Sequence, residues 1–223
     1  MPTPTLSAAT TFTNATAQLV HTFNHTADLG DGLLVCVWTI GNSSAGTVSF
    51  GSQSLTVVRN EPTAFFTSTL TILRLAAVTV QGTQTVTITV AGSTGRTVSA
   101  LVYNTRYVQS YDYLVVADTN VAQTTHDLPA MTGTSNDRLL GVYVDRGTPL
   151  GNVQFSAPNG TILNQLSFSA SATNWVMAVL EETSEPSQVI TATTATSVAS
   201  TALGIRLTGV TQADFKRQFF PVN

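Results

Sequence analysis

The stretch Thr85-Val86-Thr87-Ile88-Thr89-Val90 alternates hydroxyl and apolar side chains at every position. Because successive side chains of a β-strand point to opposite faces, we expect Val86, Ile88 and Val90 in a core and the threonines on the outer face. Threonine and valine are also β-branched, which suits a pleated surface. The stretch therefore predicts a half-buried strand.

The same period of two recurs along the chain, and glycines and prolines interrupt it at short intervals. Short strands with such punctuation indicate an all-β sandwich or barrel. Longer apolar runs at 33–40 and 139–144 predict more fully buried strands, and the length and flanks of 175–180 favour a strand. The other predicted strands are 47–50, 55–58, 69–75, 97–103, 153–155, 163–168, 189–193 and 202–208. A short stretch at 212–219 is the nearest helical candidate.

The composition narrows the classes of function. Charged residues make up 9% of the 223 residues, against about 25% in an average globular chain. The net charge of −3 argues against an electrostatic nucleic-acid binder. The sole cysteine, Cys36, has no partner for an intrachain disulfide. The first residues lack the pattern of a secretory signal, and no apolar run approaches the roughly 20 residues that span a bilayer. We therefore expect no membrane and no nucleic-acid partner.

Four blocks of sequence recur in the same order, at offsets of 106, 105, 103 and 103 residues. They align 31–38 with 137–144, 48–50 with 153–155, 86–89 with 189–192, and 101–103 with 204–206. A drifting offset in constant order is expected of a duplication with small deletions. The sequence thus predicts two tandem similar halves with short terminal arms: an N-terminal arm at 1–18, repeats at 19–110 and 111–210, and a C-terminal tail at 211–223.

The blocks also carry a family resemblance. Asp31-Gly32-Leu33-Leu34-Val35-Cys36-Val37 is followed by Val48-Ser49-Phe50-Gly51, by 55–58 and by 86–90. This series resembles jelly-roll-like β-sandwich proteins of bacteriophage particles and bacterial surfaces, over residues 19–108 and more weakly over 125–210. Trp175 would fill the aromatic strand position of the second repeat. The resemblance implies a non-catalytic adhesion, decoration or fibre role and transfers no catalytic residue.

Residues that could carry chemistry are few. His21 and His25 have the spacing that binds zinc from a helix, but on the predicted strand they lie about 13 Å apart. We therefore expect a solvated strand without metal. Glu181, Glu182 and Glu185 are expected in a solvated hairpin loop rather than as a catalytic pair. No nucleophile or phosphate-binding motif is found, so the sequence predicts no enzyme and no cofactor.

Tyrosines cluster after the first repeat, at Tyr103, Tyr107, Tyr111 and Tyr113. Their odd-numbered positions place them on one face of an extended segment. Such a face fills a seam between two halves, docks a partner protein or stacks on a sugar ring. All three interpretations remain open, and Tyr107, Tyr111 and Tyr113 are the candidate ligand-binding residues.

The C-terminal tail combines three phenylalanines with two cations: Phe215, Lys216, Arg217, Phe219 and Phe220. Exposed phenylalanines would promote aggregation, so they are expected to be buried. The tail is expected to dock on its own sandwich or to reach a neighbouring subunit, which makes these five residues the candidate partner-binding set.

Two functions follow from these patterns. The first is a virion structural protein that is made in the host cytoplasm. We expect it to be a phage capsid decoration (cement) or head-fibre subunit. It would bind capsid or other virion proteins and form a homo-oligomer. The second is a carbohydrate- or receptor-binding module of a tail fibre or a cell surface, with a glycan as its ligand.

Overall fold

The computed structural model describes residues 3–41, 43–63, 67–118, 121–146, 154–170, 173–183 and 188–210. Within these ranges every regular element is a β-strand, which confirms the all-β prediction. The strands are β1 (Thr5–Gln18), β2 (Val20–Ala27), β3 (Gly32–Ile40), β4 (Ala45–Phe50), β5 (Gln53–Ser54), β6 (Thr56–Pro62), β7 (Ser68–Leu75), β8 (Gly82–Val90), β9 (Arg96–Arg106), β10 (Val108–Asp118), β11 (Gln123–Asp127), β12 (Arg138–Arg146), β13 (Phe155–Ser156), β14 (Thr161–Ala170), β15 (Thr173–Thr183), β16 (Thr191–Val198) and β17 (Ser200–Gly209).

The strands form four antiparallel sheets. Sheet 1 has the order β1-β9-β3-β7-β6, and sheet 2 has the order β2-β8-β4-β5. Sheet 3 has the order β10-β17-β12-β15-β14, and sheet 4 has the order β11-β16-β13. Strands β1 to β9 therefore supply the first two sheets, and strands β10 to β17 supply the other two.

Three apolar cores lie between the sheets and define a layered stack. The first core joins sheet 1 to sheet 3 and includes Trp38 and Trp175. The second lies between sheets 1 and 2, and the third lies between sheets 3 and 4. Sheets 1 and 3 consequently have a core on both faces and form the two inner layers, while sheets 2 and 4 form the outer layers.

Strand β3 shows why the inner strands read as continuous apolar runs. Its residues from Gly32 to Thr39 are all buried. Leu34, Cys36 and Trp38 face sheet 3, whereas Leu33, Val35 and Val37 face sheet 2. A strand with a core on both faces has no solvent side, so the alternation of polar and apolar residues disappears.

The inner sheets repeat one strand order. In sheet 3, β10 occupies the place that β1 has in sheet 1. The remaining strands correspond in order: those of sheet 3 are β17, β12, β15 and β14, and those of sheet 1 are β9, β3, β7 and β6. The register also corresponds: Leu33 pairs with Asn104 in sheet 1, and Leu139 pairs with Arg206 in sheet 3. These pairings relate β3 to β12 by 106 residues and β9 to β17 by 102.

The structure corrects two of the predicted alignments. Residues 101–103 were aligned with 204–206, an offset of 103, whereas the strand pairing gives an offset of 102. An error of one residue would place each side chain on the wrong face of the strand. With the observed offset, Leu101 corresponds to Leu203, and both lie in the core between sheets 1 and 3. The alignment of Val86 with Val189 is also wrong, because Val86 is buried whereas Val189 is exposed beside the buried Ile190.

Two edge strands lie where the sequence predicted other features. Residues 5–18, expected in an N-terminal arm, form β1 at the edge of sheet 1. Residues 108–118, for which no strand was predicted, form β10 at the edge of sheet 3. Edge strands bury only part of one face, so β1 in particular lacks the apolar series by which the inner strands were recognised.

Candidate functional site

The chain passes from sheet 1 to sheet 3 at Arg106-Tyr107-Val108, and a cleft of about 430 Å³ opens beside this crossing. Its walls include Leu29, Asp31, Gly32, Arg106, Tyr107 and Tyr111. Tyr107 has a φ of 59°, the one positive φ among non-glycine residues in the described ranges. A large side chain rarely adopts this conformation, and residues that do are concentrated at functional sites.

An ion-pair network fixes one wall of the cleft. Arg106 Nε donates to Asp31 Oδ1 at 2.5 Å, and Arg106 Nη2 donates to Asp28 Oδ2 at 2.8 Å. The hydrogen bond to Asp31 raises the pKa of the Arg106 guanidinium. Asp31 is nearly fully buried, whereas the Asp28 side chain is 75% exposed. The wall of the cleft therefore includes a guanidinium, that of Arg106, whose position is set by the buried Asp31 carboxylate.

The inner end of the cleft is closely packed around Tyr111. The Tyr111 and Thr105 hydroxyl groups are hydrogen-bonded to each other, and burial raises the pKa of Tyr111. A Cβ at Gly32 would lie 2.5 Å from both oxygens, so a larger residue there would require the two hydroxyl groups to move. Most of the Tyr111 ring belongs to the core between sheets 1 and 3. Tyr111 thus joins the seam of the molecule to the inner end of the cleft.

The cleft brings together two of the three candidate tyrosines. Tyr107 and Tyr111 both line it. Tyr113 lies further along β10, where the Arg59 guanidinium sits 4.5 Å from the centre of its ring. That contact connects the edges of sheets 1 and 3, so Tyr113 packs in the seam.

The second half has a matching turn but different side chains beside it. Asp31 Oδ2 accepts from the Asp28 amide at 3.1 Å, and Asp137 Oδ2 accepts from the Thr134 amide at 2.8 Å. Asp137 also lines a cleft, of about 300 Å³, together with Thr208 and Gly209. At the observed offset of 102 these two positions correspond to Arg106 and Tyr107. A cation, Arg206, also lines the second cleft, but none of the described residues that line it is aromatic, unlike in the first cleft.

The histidines correct the prediction of a solvated strand. His21 and His25 lie on β2, as expected, but both side chains are buried. His21 Nε2 donates to Arg96 O at 2.9 Å, and His25 Nε2 donates to Asn104 Oδ1 at 2.7 Å. Burial lowers the pKa of both imidazoles, which favours the neutral form. The described part of the chain contains no group of three metal-ligating side chains.

Glu181 and Glu182 do not lie in a solvated hairpin loop. Glu181 and Glu182 belong to strand β15, which corrects the predicted hairpin position, and Glu185 lies outside the described residues. Glu181 is paired with the Arg138 guanidinium through both carboxylate oxygens. The Glu182 side chain points to the other face and is buried, which raises its pKa. The Glu181 and Glu182 carboxyl groups consequently lie in different environments, the first in an ion pair and the second buried.

Sequence reasoning missed a buried carboxyl group, Asp145 near the end of β12. Its side chain is fully buried, and neither oxygen has a hydrogen-bond partner among the described residues. Burial raises its pKa to about 8. Asp145 is paired in register with Ser200, whose hydroxyl group donates to His126 Nδ1 at 2.7 Å. The alternation along β12 was the available signal, because it places Asp145 on the same face as Leu139 and Tyr143.

Two other predictions concern single residues or the tail. Cys36 is buried, as predicted, and burial raises the pKa of its thiol to about 12. The partner-binding set, Phe215, Lys216, Arg217, Phe219 and Phe220, lies outside the described residues, as does the helical candidate at 212–219.

Comparison of the chain with protein-family models, with curated proteins and with solved structures finds no match. The resemblance to phage and bacterial-surface sandwiches therefore rests on the quoted sequence blocks alone. No helix in the described ranges is long and apolar enough to cross a membrane.

Proposed function

We propose that the chain is a duplicated jelly-roll protein that acts as a structural subunit of a bacteriophage particle, as a capsid decoration or head-fibre protein. The observation that carries the proposal is the repeated strand order of its two inner sheets. Double-sheet jelly rolls occur in viral capsid proteins and in lectins. This support is an analogy at the level of fold, since one fold hosts many functions.

The strand order supports the jelly-roll assignment in detail. In each half the first and last strands lie side by side in an inner sheet, next to the third strand. The second strand and the one before the last lie side by side in the outer sheet. This pairing of chain ends with each other is what two Greek keys wound into a double sheet produce. The corresponding register pairs of β3 with β9 and of β12 with β17 support the duplication.

The surface also suits an assembly of many copies. Only 9% of the residues are charged, and the net charge is −3. Many identical subunits on one particle therefore repel each other weakly, and contacts form through hydrogen bonds and shape. In this proposal the protein acts without catalysis or a cofactor, and its partners are capsid or other virion proteins. The tail residues from Phe215 to Phe220 are retained as a proposed contact with these partners.

Sedimentation of a lysate of the source, with mass spectrometry of each fraction, tests the proposal. We expect the chain in a fast-sedimenting fraction together with DNA and a major capsid protein. A chain truncated after Val210 is expected to be lost from that fraction while its circular dichroism spectrum remains that of a β-protein. Recovery of the intact chain only in the slow fractions would overturn the virion role.

A second candidate function is carbohydrate binding at the cleft beside Tyr107. The observation that favours it is that Tyr107, which is 38% exposed, and the Arg106 guanidinium both line the cleft. Sugar rings stack on aromatic faces and bind charged side chains through their hydroxyl groups. The resulting protein would bind a glycan on a tail fibre or a cell surface.

An array of bacterial surface oligosaccharides tests this alternative. Tyr107→Asn removes the ring and retains a residue that tolerates positive φ. We expect it to abolish binding, while Tyr113→Phe, which lies outside the cleft, leaves binding unchanged. Absence of binding at millimolar ligand, or equal binding by Tyr107→Asn, would refute the carbohydrate role.

A further inference from the structure

The edges of the two inner sheets differ in charge. On one side of the molecule β1 lies against β14, and on the opposite side β6 lies against β10. Neither β1 nor β14 contains Asp, Glu, Lys, Arg or His. The opposite edges carry Arg59 and Glu61 on β6 and Asp112 and Asp118 on β10. One side of the two inner layers is therefore uncharged, and the other is charged.

The charged side has the features that prevent edge-to-edge association. Arg59 is paired with Glu61 at 2.5 Å, and its guanidinium also covers the ring of Tyr113 across the seam. Strand β6 ends at Pro62, which has no amide hydrogen to donate to another strand. Charged side chains and proline are the usual protection of an exposed sheet edge.

The uncharged side lacks this protection over the centre of β1. Register shifts lie between Ser7 and Thr10 and between Asn14 and Gln18, so Thr10 to Asn14 pair regularly with β9. Within the described chain no strand pairs with the outer edge of β1. Among the described strands, none uses the backbone groups of this regular segment that point away from β9.

The side chains of this segment hold it in a fixed position. Phe12 is stacked on Phe23, with ring centroids 4.5 Å apart, and Thr10 Oγ1 donates to His25 Nδ1 at 2.8 Å. Thr11 and Thr13 are exposed. The outer edge of β1 is therefore presented in an ordered conformation, and pairing would cost little further ordering.

We propose that this edge is a dimer interface, at which β1 pairs antiparallel with β1 of a second copy of the chain. A two-fold axis at the outer edge of β1, perpendicular to sheet 1, places β1 of the second copy antiparallel to β1 of the first. Both copies then contribute the same surface, as an isologous interface requires. The same axis sets β14 beside β14 of the second copy in the neighbouring layer. The second copy is the partner because two uncharged edges meet without like-charge repulsion, whereas a charged partner strand would find no complementary charge there.

The purpose of the dimer rests on the proposed function, because the interface would link neighbouring copies on a particle. The measurements nevertheless separate the two. Dimer formation is measured on the purified chain, and particle association is measured by sedimentation of the lysate. A dimer without particle association would overturn the proposed function and leave the interface, and a monomer on the particle would do the reverse.

Sedimentation equilibrium of the purified chain tests the interface. We expect a mass twice that of the 23.5 kDa chain at high micromolar concentration. Thr11→Lys/Thr13→Lys should give a monomer, because four ammonium groups would meet at the interface. The matched control, Thr56→Lys/Asn60→Lys on the exposed edge of β6, should remain a dimer. A monomeric wild type, or a dimer in the first variant as stable as the wild-type dimer, would overturn the proposal.

Disulfide trapping gives a second readout that does not depend on the lysine variants. The native Cys36 is buried, so a thiol introduced on an edge is the reactive one. Thr11→Cys/Thr13→Cys should form a covalent dimer under mild oxidation, because directly opposed residues of paired strands lie about 4.5–5.5 Å apart. Thr56→Cys/Asn60→Cys should remain monomeric on a denaturing gel. Cross-linking of both variants to the same extent would indicate random collision and refute the interface.

Discussion

Trp38 and Trp175 meet edge to face across the core between sheets 1 and 3, with ring centroids 5.3 Å apart. Trp38 lies on β3 of the first set of strands, and Trp175 lies on β15 of the second. Both rings are at most 1% exposed, and Phe168 packs against Trp38 from β14. The largest side chains of each half are thus buried against the other half, so the two halves depend on each other for part of their cores.

This contact predicts that the chain unfolds as one unit. Trp175→Ala removes a large buried ring from the shared core and should lower the free energy of unfolding by about 3–5 kcal/mol. Guanidinium denaturation followed by circular dichroism should show a single transition, shifted to lower denaturant. Trp175→Phe, the control, should cost clearly less. Two separate transitions, with only one of them shifted by Trp175→Ala, would contradict a shared core.

Asp145 predicts a loss of stability towards alkaline pH. Burial raises the pKa of its carboxyl group from 3.8 to about 8, so the folded chain holds a proton that the unfolded chain releases. The contribution of Asp145 to stability should therefore fall as pH rises from about 4 to about 8, by at most about 1.4 kcal/mol per pH unit, and level off above that range. Asp145→Asn has no proton to release and should lose this component.

The measurement is the midpoint of urea unfolding for wild type and Asp145→Asn across that pH range. The difference between them should grow with pH in favour of the variant. Asp127→Asn is the control, because it makes the same substitution at an exposed position on β11, and the growing difference should be specific to Asp145→Asn. A constant difference between wild type and Asp145→Asn would show that the carboxyl group ionises normally in the folded chain.

The buried histidines predict the opposite effect on the acidic side. Burial lowers the pKa of His21, His25 and His126, so below about pH 6.5 the unfolded chain takes up protons that the folded chain resists. The contribution of these histidines to stability should thus fall as pH decreases through the unfolded value. His25→Gln keeps a polar group near Thr10 and Asn104 and should lose less stability than wild type between pH 7 and pH 5. Thermal unfolding at both pH values measures this, and an equal loss in both proteins would contradict the prediction.

The two acidic turns predict an unequal pair of substitutions. Asp31 and Asp137 accept an amide hydrogen bond from the residue three positions earlier, but only Asp31 also accepts a hydrogen bond from a guanidinium, that of Arg106. Asp31→Ala should cost about 1.5–3 kcal/mol more than Asp137→Ala, the range for hydrogen bonds to charged groups. Chemical denaturation of the two variants measures the difference. Equal costs would show that the Arg106 pair contributes nothing net.

The inner strands were predictable because their signal is local. The runs at 33–40, 139–144 and 175–180 lie within β3, β12 and β15. The edge strands β1 and β10 were harder, since an exposed edge needs no continuous apolar pattern. The order of the recurring blocks was predictable, but the register between strands was not, because only strand pairing defines which residues are opposite each other.

Only the types of residue in the candidate site were predictable from the sequence, and their arrangement was not. The tyrosine cluster was recognised, but chain crossing at Tyr107 decides that Tyr107 and Tyr111 share a cleft while Tyr113 packs against Arg59. The sequence around the histidines predicted that His21 and His25 lie on a strand, and both lie on β2. It carried no information about burial, which depends on the outer sheet closing over sheet 1.

The sequence by itself determined the all-β class, the inner strands and the low charge, because alternation and composition are properties of neighbouring residues. The tertiary structure alone decided the four-layer stack, the burial of Asp145 and the histidines, the meeting of Trp38 with Trp175 and the uncharged side formed by β1 and β14. These features join residues far apart in the chain. They arise only when the sheets pack, and the free energy of that packing depends on all of them together.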